Sequence, residues 1–212
     1  MDLNHLRASY NNESLDEETV LPNPIDQFQY WFNEALKAEL PEPNAMVLST
    51  VDLNGQPQSR AVLLKGVEQE NFVFFTNYLS QKGIEIENNP KVALNFLWLE
   101  LERQVRITGT AVKVSDEASD EYFYTRPIGS QIGAHVSEQS KRIPNRQFLE
   151  DKLAELTTYY EINPIKRPAN WGGYKVVPNS IEFWNGRPNR LHDRIIYEKD
   201  LHGNWHLSRL SP

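Results

Sequence analysis

Between residues 26 and 40, apolar side chains fall at Phe28, Trp31, Phe32, Ala35, Leu36 and Leu40. This i, i+3, i+4 spacing gives a helix one apolar face. Pro41 and Pro43 stop it. The period then drops to two. Residues 45–51 and 59–65 are strand-like runs joined across Asn54-Gly55, a dipeptide suited to a tight hairpin turn. Further strands are predicted at 72–76, 92–99 and 104–114. A short polar helix fits 80–89 before Pro90, and another fits 116–125, closed by Arg126-Pro127. Helical spacing returns over 145–160 through Leu149, Leu153, Leu156 and Tyr160. Strands are then predicted at 173–177, 180–184, 191–197 and 205–210.

Consecutive hairpins with few helices between them indicate a β-rich α+β fold, an antiparallel sheet closed or nearly closed as a barrel. Residues 1–24 are polar and acidic and end in Pro22 and Pro24, which reads as a mobile arm. Arg7 and Tyr10 would share a face if that arm makes a helical turn. Residues 25–212 read as one domain.

Composition narrows the function. The 212-residue chain has 39% hydrophobic and 24% charged residues and a net charge of −7, ordinary values for a soluble domain. The absence of cysteine excludes disulfides and thiolate chemistry and suits a cytoplasmic location. No apolar run approaches membrane-spanning length. The acidic balance argues against a nucleic-acid binder.

Against that balance, cations gather locally. Arg190, His192 and Arg194 would project from one face of an extended strand, a row that repels itself unless an anion lies against it. Arg60 and Lys65 interrupt an apolar strand. Five apart, they face opposite sides under strict alternation, so either a bulge realigns them or they serve different ligand groups. Gln104, Arg106 and Thr108 share a face, and a carboxamide suits a heterocycle's imide edge. Tyr122, Arg126 and Ser130 bracket a helix end and a loop freed by Gly129 and Gly133, a reasonable phosphate site, with Gln139 and Ser140 close in sequence. His202 and His206 flank a turn, with no carboxylate or thiolate at metal-ligand spacing. Trp184 is suited to stacking on a ring. Several phosphate-competent clusters plus amide and aromatic groups fit two phosphorylated heterocycles better than one.

Several runs carry a resemblance. Arg60-Ala61-Val62-Leu63-Leu64-Lys65, Glu102-Arg103-Gln104-Val105-Arg106, Ser130-Gln131-Ile132-Gly133-Ala134, Trp171-Gly172-Gly173-Tyr174, and Glu182 through Gly186 with Asn189 through Arg194 closely resemble the pyridoxine/pyridoxamine 5′-phosphate oxidase family. The matches run in order from Arg7 to Pro212. The resemblance implies a split antiparallel β-barrel homodimer with FMN in clefts between subunits. It also implies oxidation of pyridoxine or pyridoxamine 5′-phosphate to pyridoxal 5′-phosphate, with oxygen as acceptor and hydrogen peroxide as product.

By matching position, the resemblance assigns FMN to the run Arg60–Lys65 and to Phe75, Thr76, Gln81, Lys82, Gln104, Gln139, Ser140, Trp184 and Arg194. It assigns substrate to Arg7, Tyr10, Lys65, Tyr122, Arg126, Ser130, Arg190 and His192, the last two catalytic. No metal is implied. At Gln81 the family often has a basic residue on the FMN phosphate, so one charge-assisted bond, worth about 1.5–3 kcal/mol, is lost. His135 stands where an apolar residue is common. The competing function is a split-barrel flavin or vitamer carrier without oxidase activity, against which the intact Arg190/His192 pair counts.

Overall fold

Asn23 opens the first helix by accepting a hydrogen bond from the Ile25 N–H at 2.8 Å. Pro24 sits in the first turn, where its missing N–H is no loss. The computed structural model describes residues 9–212 and carries this helix, α1, over Pro24–Lys37. Its stripe buries Phe28, Trp31 and Ala35, while Leu36 stays exposed.

Nine strands are described: β1 (Ala45–Val51), β2 (Pro57–Leu63), β3 (Gly66–Glu68), β4 (Asn71–Asn77), β5 (Lys91–Trp98), β6 (Arg103–Lys113), β7 (Trp171–Asn185), β8 (Asp193–Lys199) and β9 (Trp205–Arg209). Their order is β2-β1-β5-β6-β7-β4-β3, with β8 and β9 continuing from β7. The sheet is antiparallel throughout and curls into a half-barrel. The β1–β2 hairpin turns at Gly55, whose φ of 81° favours glycine. Alternate residues of β1 and β5, among them Met46, Leu48, Leu94 and Phe96, face inward and are buried. Phe28 plugs this interior, its ring 5.0 Å from both Phe72 and Phe96. Trp31 meets Phe183 edge-on at 5.2 Å.

Four more helices flank the sheet: α2 (Gln81–Asn88), α3 (Asp116–Thr125), α4 (Ile128–Val136) and α5 (Gln147–Tyr160). The segment carrying Ser130 is therefore helical, not the glycine-freed loop its sequence suggests. Ile132 and Val136, four apart, bury one face of α4 and outweigh two helical glycines. No residue of α5 is fully buried. Among the described residues no helix is long and apolar enough to cross a membrane.

Two further corrections concern the C-terminal third. The separate strands predicted at 173–177 and 180–184 are one 15-residue strand, β7. A bulge at Asn179, the one residue of β7 skipped between its pairings with Thr108 and Gly109 of β6, keeps the strand continuous; a Cβ at Gly109 would lie 2.3 Å from the Val177 carbonyl oxygen. The strand predicted at 191–197 starts only at Asp193. Pro188–Arg190 forms a 3-10 turn instead, with Asn189 and Arg190 at φ of 58° and 62°. Arg190 and His192 therefore do not alternate with Arg194 along a strand.

Residues 9–23 of the predicted arm lie along the C-terminal strands, and Leu15 and Val20 are buried. Asn12 donates to the Leu101 carbonyl at 2.7 Å. Arg209 donates to the Leu15 carbonyl at 2.8 Å and pairs with Glu17 (2.6 Å), Asp16 (3.3 Å) and Asp193 (2.8 Å). The Glu17 carboxyl is held down to about 2, chiefly by its hydrogen bond from Arg209. The arm's acidic residues thus act as a clasp on β8 and β9, which polar composition alone does not reveal.

Candidate functional site

Each end of β7 carries a cluster of the residues singled out above. Its first half, Trp171–Val176, pairs with β4, and its second half, from Ser180 on, pairs with β8.

At the first end lies a cleft of about 830 Å³. Arg60 enters it from β2, donating to the Leu48 carbonyl at 3.3 Å, to the Thr50 hydroxyl and to Glu85 Oε2 at 2.9 Å. β2 ends at Leu63. Alternation stops there, and Lys65 reaches the same cleft as Arg60. Ala61, Val62 and Leu63 line it from the strand, whereas Leu64 is buried in the core.

Lys82 enters from the first turn of α2, which Ser80 caps. A Cβ at Gly83 would fall 2.1 Å from the Tyr78 carbonyl oxygen, so only glycine lets α2 sit this close to the end of β4. The Lys82 ammonium donates to Gln139 Oε1 at 3.3 Å, and the Thr76 hydroxyl donates to the same oxygen at 3.3 Å. Burial and the neighbouring Arg60 push the Lys82 pKa below its usual value, while Glu85 pulls the other way.

The opposite wall is aromatic. Phe75 and Tyr122 stack with centroids 3.9 Å apart, and Trp171 lies nearly parallel to Tyr122 at 6°. The Arg126 guanidinium sits 4.5 Å from the Trp171 ring centroid. Its buried Nη1 has no hydrogen-bond partner among the described residues, and burial lowers its pKa. Ser130, on α4, completes this wall. Four cations thus line the cleft without a lining carboxylate. Gln81 and Ser140 are exposed and do not line it.

At the other end of β7, Gln104, Trp184 and Arg194 are direct cross-strand neighbours on β6, β7 and β8, so the pleat sets them side by side. The Trp184 and His192 ring centroids are 4.5 Å apart, and Tyr10 stands edge-on to both at 5.8 and 5.7 Å. The Arg187 N–H donates to His192 Nδ1 at 3.1 Å. Neutral His192 therefore carries its hydrogen on Nε2 and presents a donor. The left-handed pair Asn189 and Arg190 swings Arg190 out to solvent beside this cluster. Arg194 is tied to Glu182 at 2.8 Å and to the Ser211 carbonyl at 2.9 Å. Arg7 lies outside the described residues.

Sequence reasoning missed four residues here: Thr50 and Glu85 behind Arg60, Trp171 beneath Arg126, and Glu182 between Arg106 and Arg194. Trp171 and Glu182 stand in runs that carry the resemblance but were given no role, and Glu85 lies three residues after Lys82 on the same helical face. At the turn that His202 and His206 flank, His206 pairs with Asp200 at 2.9 Å. His135 Nε2 lies 2.8 Å from the Lys166 carbonyl oxygen, joining α4 to the chain beyond α5.

Comparison with known proteins agrees with this geometry. Residues 32–160 match the pyridoxamine 5′-phosphate oxidase family, and residues 171–212 match the pyridoxine 5′-phosphate oxidase C-terminal dimerisation region. The chain is 53% identical to the pyridoxine/pyridoxamine 5′-phosphate oxidase of Cupriavidus necator, over 98% of this chain and 97% of the relative. It is 54% identical to that of Burkholderia thailandensis over the same shares. Among solved structures, PhzG from Burkholderia lata, in complex with tetrahydrophenazine-1-carboxylic acid, superposes with a TM-score of 0.89 at 27% identity, covering 97% of this chain and all of that one. A pyridoxamine 5′-phosphate oxidase-related, FMN binding protein from Nostoc punctiforme shares the fold, with a TM-score of 0.71 at 17% identity, covering 92% of this chain and 99% of that one. The chain belongs to the pyridoxine/pyridoxamine 5′-phosphate oxidase family, flavin-binding oxidoreductases built on a split antiparallel β-barrel.

Proposed function

We propose that this protein oxidises pyridoxamine 5′-phosphate and pyridoxine 5′-phosphate to pyridoxal 5′-phosphate, with FMN as cofactor, oxygen as electron acceptor and hydrogen peroxide as product. The observation that carries this reading is the cleft's cation surplus. Arg60, Lys65, Lys82 and Arg126 face one space, and Arg126 Nη1 is buried and unpartnered among the described residues. A buried donor in that state is stabilised by a ligand oxygen. Two phosphorylated rings supply such oxygens at both ends of the cleft, with flat faces for the aromatic wall.

The donor set fits FMN. Arg60, Lys82 and the Thr76–Gln139 pair would hold its phosphate, with Ala61, Val62 and Leu63 along its length and Phe75 nearby. Gln104, Trp184 and Arg194 would serve its ring end; Gln81 and Ser140 play at most a peripheral part. Bound FMN would supply the two-electron acceptor for oxidation of the substrate's C4′ carbon.

Lys65, Tyr122, Arg126 and Ser130 clamp the substrate phosphate. Tyr10 and His192 cover its ring, His192 Nε2–H acting as a fixed donor, and Arg190 closes the open side. Arg7 joins Tyr10 from the arm. Orientation of this kind is where the protein's share of the rate lies.

The two clusters share no lining residue. From Gly172 to Trp184 along β7 is roughly 40 Å of extended chain, at about 3.3 Å per residue. We therefore place each complete site between two chains of a homodimer. The sheet face beside β2 supports this, with Val47, Leu63, Leu97 and Leu99 exposed together. The purified protein should show a flavin spectrum and release peroxide with either vitamer phosphate. A flavin spectrum without peroxide would favour the carrier reading instead.

A further inference from the structure

Glu85 is the least expected residue near the first cleft. It is a buried carboxylate, 5% exposed, on the inner face of α2. Its Oε2 accepts from Arg60 at 2.9 Å and from the Thr50 hydroxyl, and that hydroxyl in turn accepts from Arg60. Its Oε1 is buried with no partner among the described residues. A carboxylate half satisfied in a buried place is costly to keep. Arg60 alone could be oriented by the Thr50 hydroxyl and the Leu48 carbonyl, both already within reach. What Glu85 adds is its charge. It offsets that of Arg60 and acts on Lys82 as well.

We propose that Glu85 sets the strength of the cleft's grip on a phosphate, steadying Arg60 in the free protein and repelling the phosphate that Arg60 binds. This rests on the reading that Arg60 and Lys82 take the FMN phosphate. The same charge has opposite signs of effect in the two states. Without ligand it offsets the mutual repulsion of Arg60 and Lys82. With a dianionic phosphate in place it becomes a like charge across a short, poorly solvated gap. The exposed Gln81 adds no cation to this end, so Glu85 and Gln81 both leave the grip looser than the donor geometry alone allows.

The test uses the full chain stripped of flavin. Fluorescence titrations with FMN, and with riboflavin, which lacks the phosphate, are run at low and high salt. Glu85→Gln keeps an acceptor for Arg60 and Thr50 and removes only the charge. It should bind FMN about tenfold more tightly at low salt, less so at high salt. Riboflavin affinity should not change, and the ligand-free variant should melt at a lower temperature than the original protein. Thr50→Val keeps the charge but removes the shared hydroxyl, and should weaken FMN binding. FMN affinity unchanged or weaker in Glu85→Gln, an equal gain for riboflavin, or tighter FMN binding in Thr50→Val would each overturn the inference while leaving the proposed function intact. A starting protein that binds no FMN would reject the proposed function and this inference with it.

Discussion

The two ends of β7 handle positive charge differently. At the Trp171 end Arg60 is paired with Glu85 and Arg167 with Asp116 and Asp120, but among the described residues Arg126 Nη1 has no partner and Lys82 has only a side-chain amide. At the Trp184 end, almost every arginine is tied down: Arg194 and Arg106 to Glu182, Arg187 to Asp193, and Arg209 to Asp16, Glu17 and Asp193. Arg190, turned outward, is without an ion pair among the described residues. We propose that the first end receives anions. The second is a rigid frame that holds aromatic rings and one swung-out cation in place. A binding site needs both, and the strand keeps them apart within one chain.

The comparison breaks most sharply at Arg190 and His192. If the second end orients substrate without gripping a phosphate, Arg190→Ala and His192→Ala should retain FMN yet lose roughly 10²–10³-fold in kcat. Flavin fluorescence and steady-state kinetics on the same preparations check both halves, and normal kinetics would remove the role given to that turn. Arg60→Ala attacks the other end. It deletes charge-assisted bonds and leaves Glu85 uncompensated, so FMN binding should weaken by about 100-fold. Gel filtration followed by flavin fluorescence would show the loss.

These residues were not equally legible. Arg60 and Arg126 stood out because cations in apolar or turn contexts are few in an acidic chain, whereas Lys82 was named by the family resemblance alone. Their partners did not stand out, because Thr50 and Glu85 meet Arg60 only once β1, β2 and α2 are folded together. The Arg190–Arg194 run misled for a local reason. Its β-branched and aromatic continuation favours strand, but Pro188 and two consecutive left-handed residues, Asn189 and Arg190, form a turn before pairing with β7 begins at Asp193. The glycines of α4 hid a helix that buried apolar contacts stabilise. Apart from the short β3, which no strand prediction covered, the other strands were readable from period-two alternation, while the pairing of one long β7 with three neighbours depends on the bulge opposite Gly109.

Smaller effects refine the contrast. Arg209→Ala opens the clasp that seats the arm, so the conformer presenting Tyr10 becomes a minor one. KM for the vitamer phosphate should rise roughly three- to tenfold with kcat little changed, and an unaltered KM would detach the arm from substrate binding. The smallest effect is on pH. Burial and Arg60 lower the Lys82 pKa in the folded protein, so its protonated form is disfavoured there relative to the unfolded chain. That penalty is fully present below the folded pKa and is relieved as pH rises from it toward the unfolded value of 10.5. Relative to Lys82→Met, the flavin-free protein should therefore gain a small amount of thermal stability on raising pH through the alkaline range, and a gain equal in both would exclude Lys82 as the source.

The central claim is that one working site draws its cationic cleft from one chain and its aromatic frame from another. Co-expression of Arg126→Ala with His192→Ala tests it directly. In a mixed dimer one site carries both lesions and the other carries neither, so random pairing should restore about a quarter of normal peroxide production from two variants that are each nearly inactive. Activity no greater than that of the two variants measured separately would contradict the account.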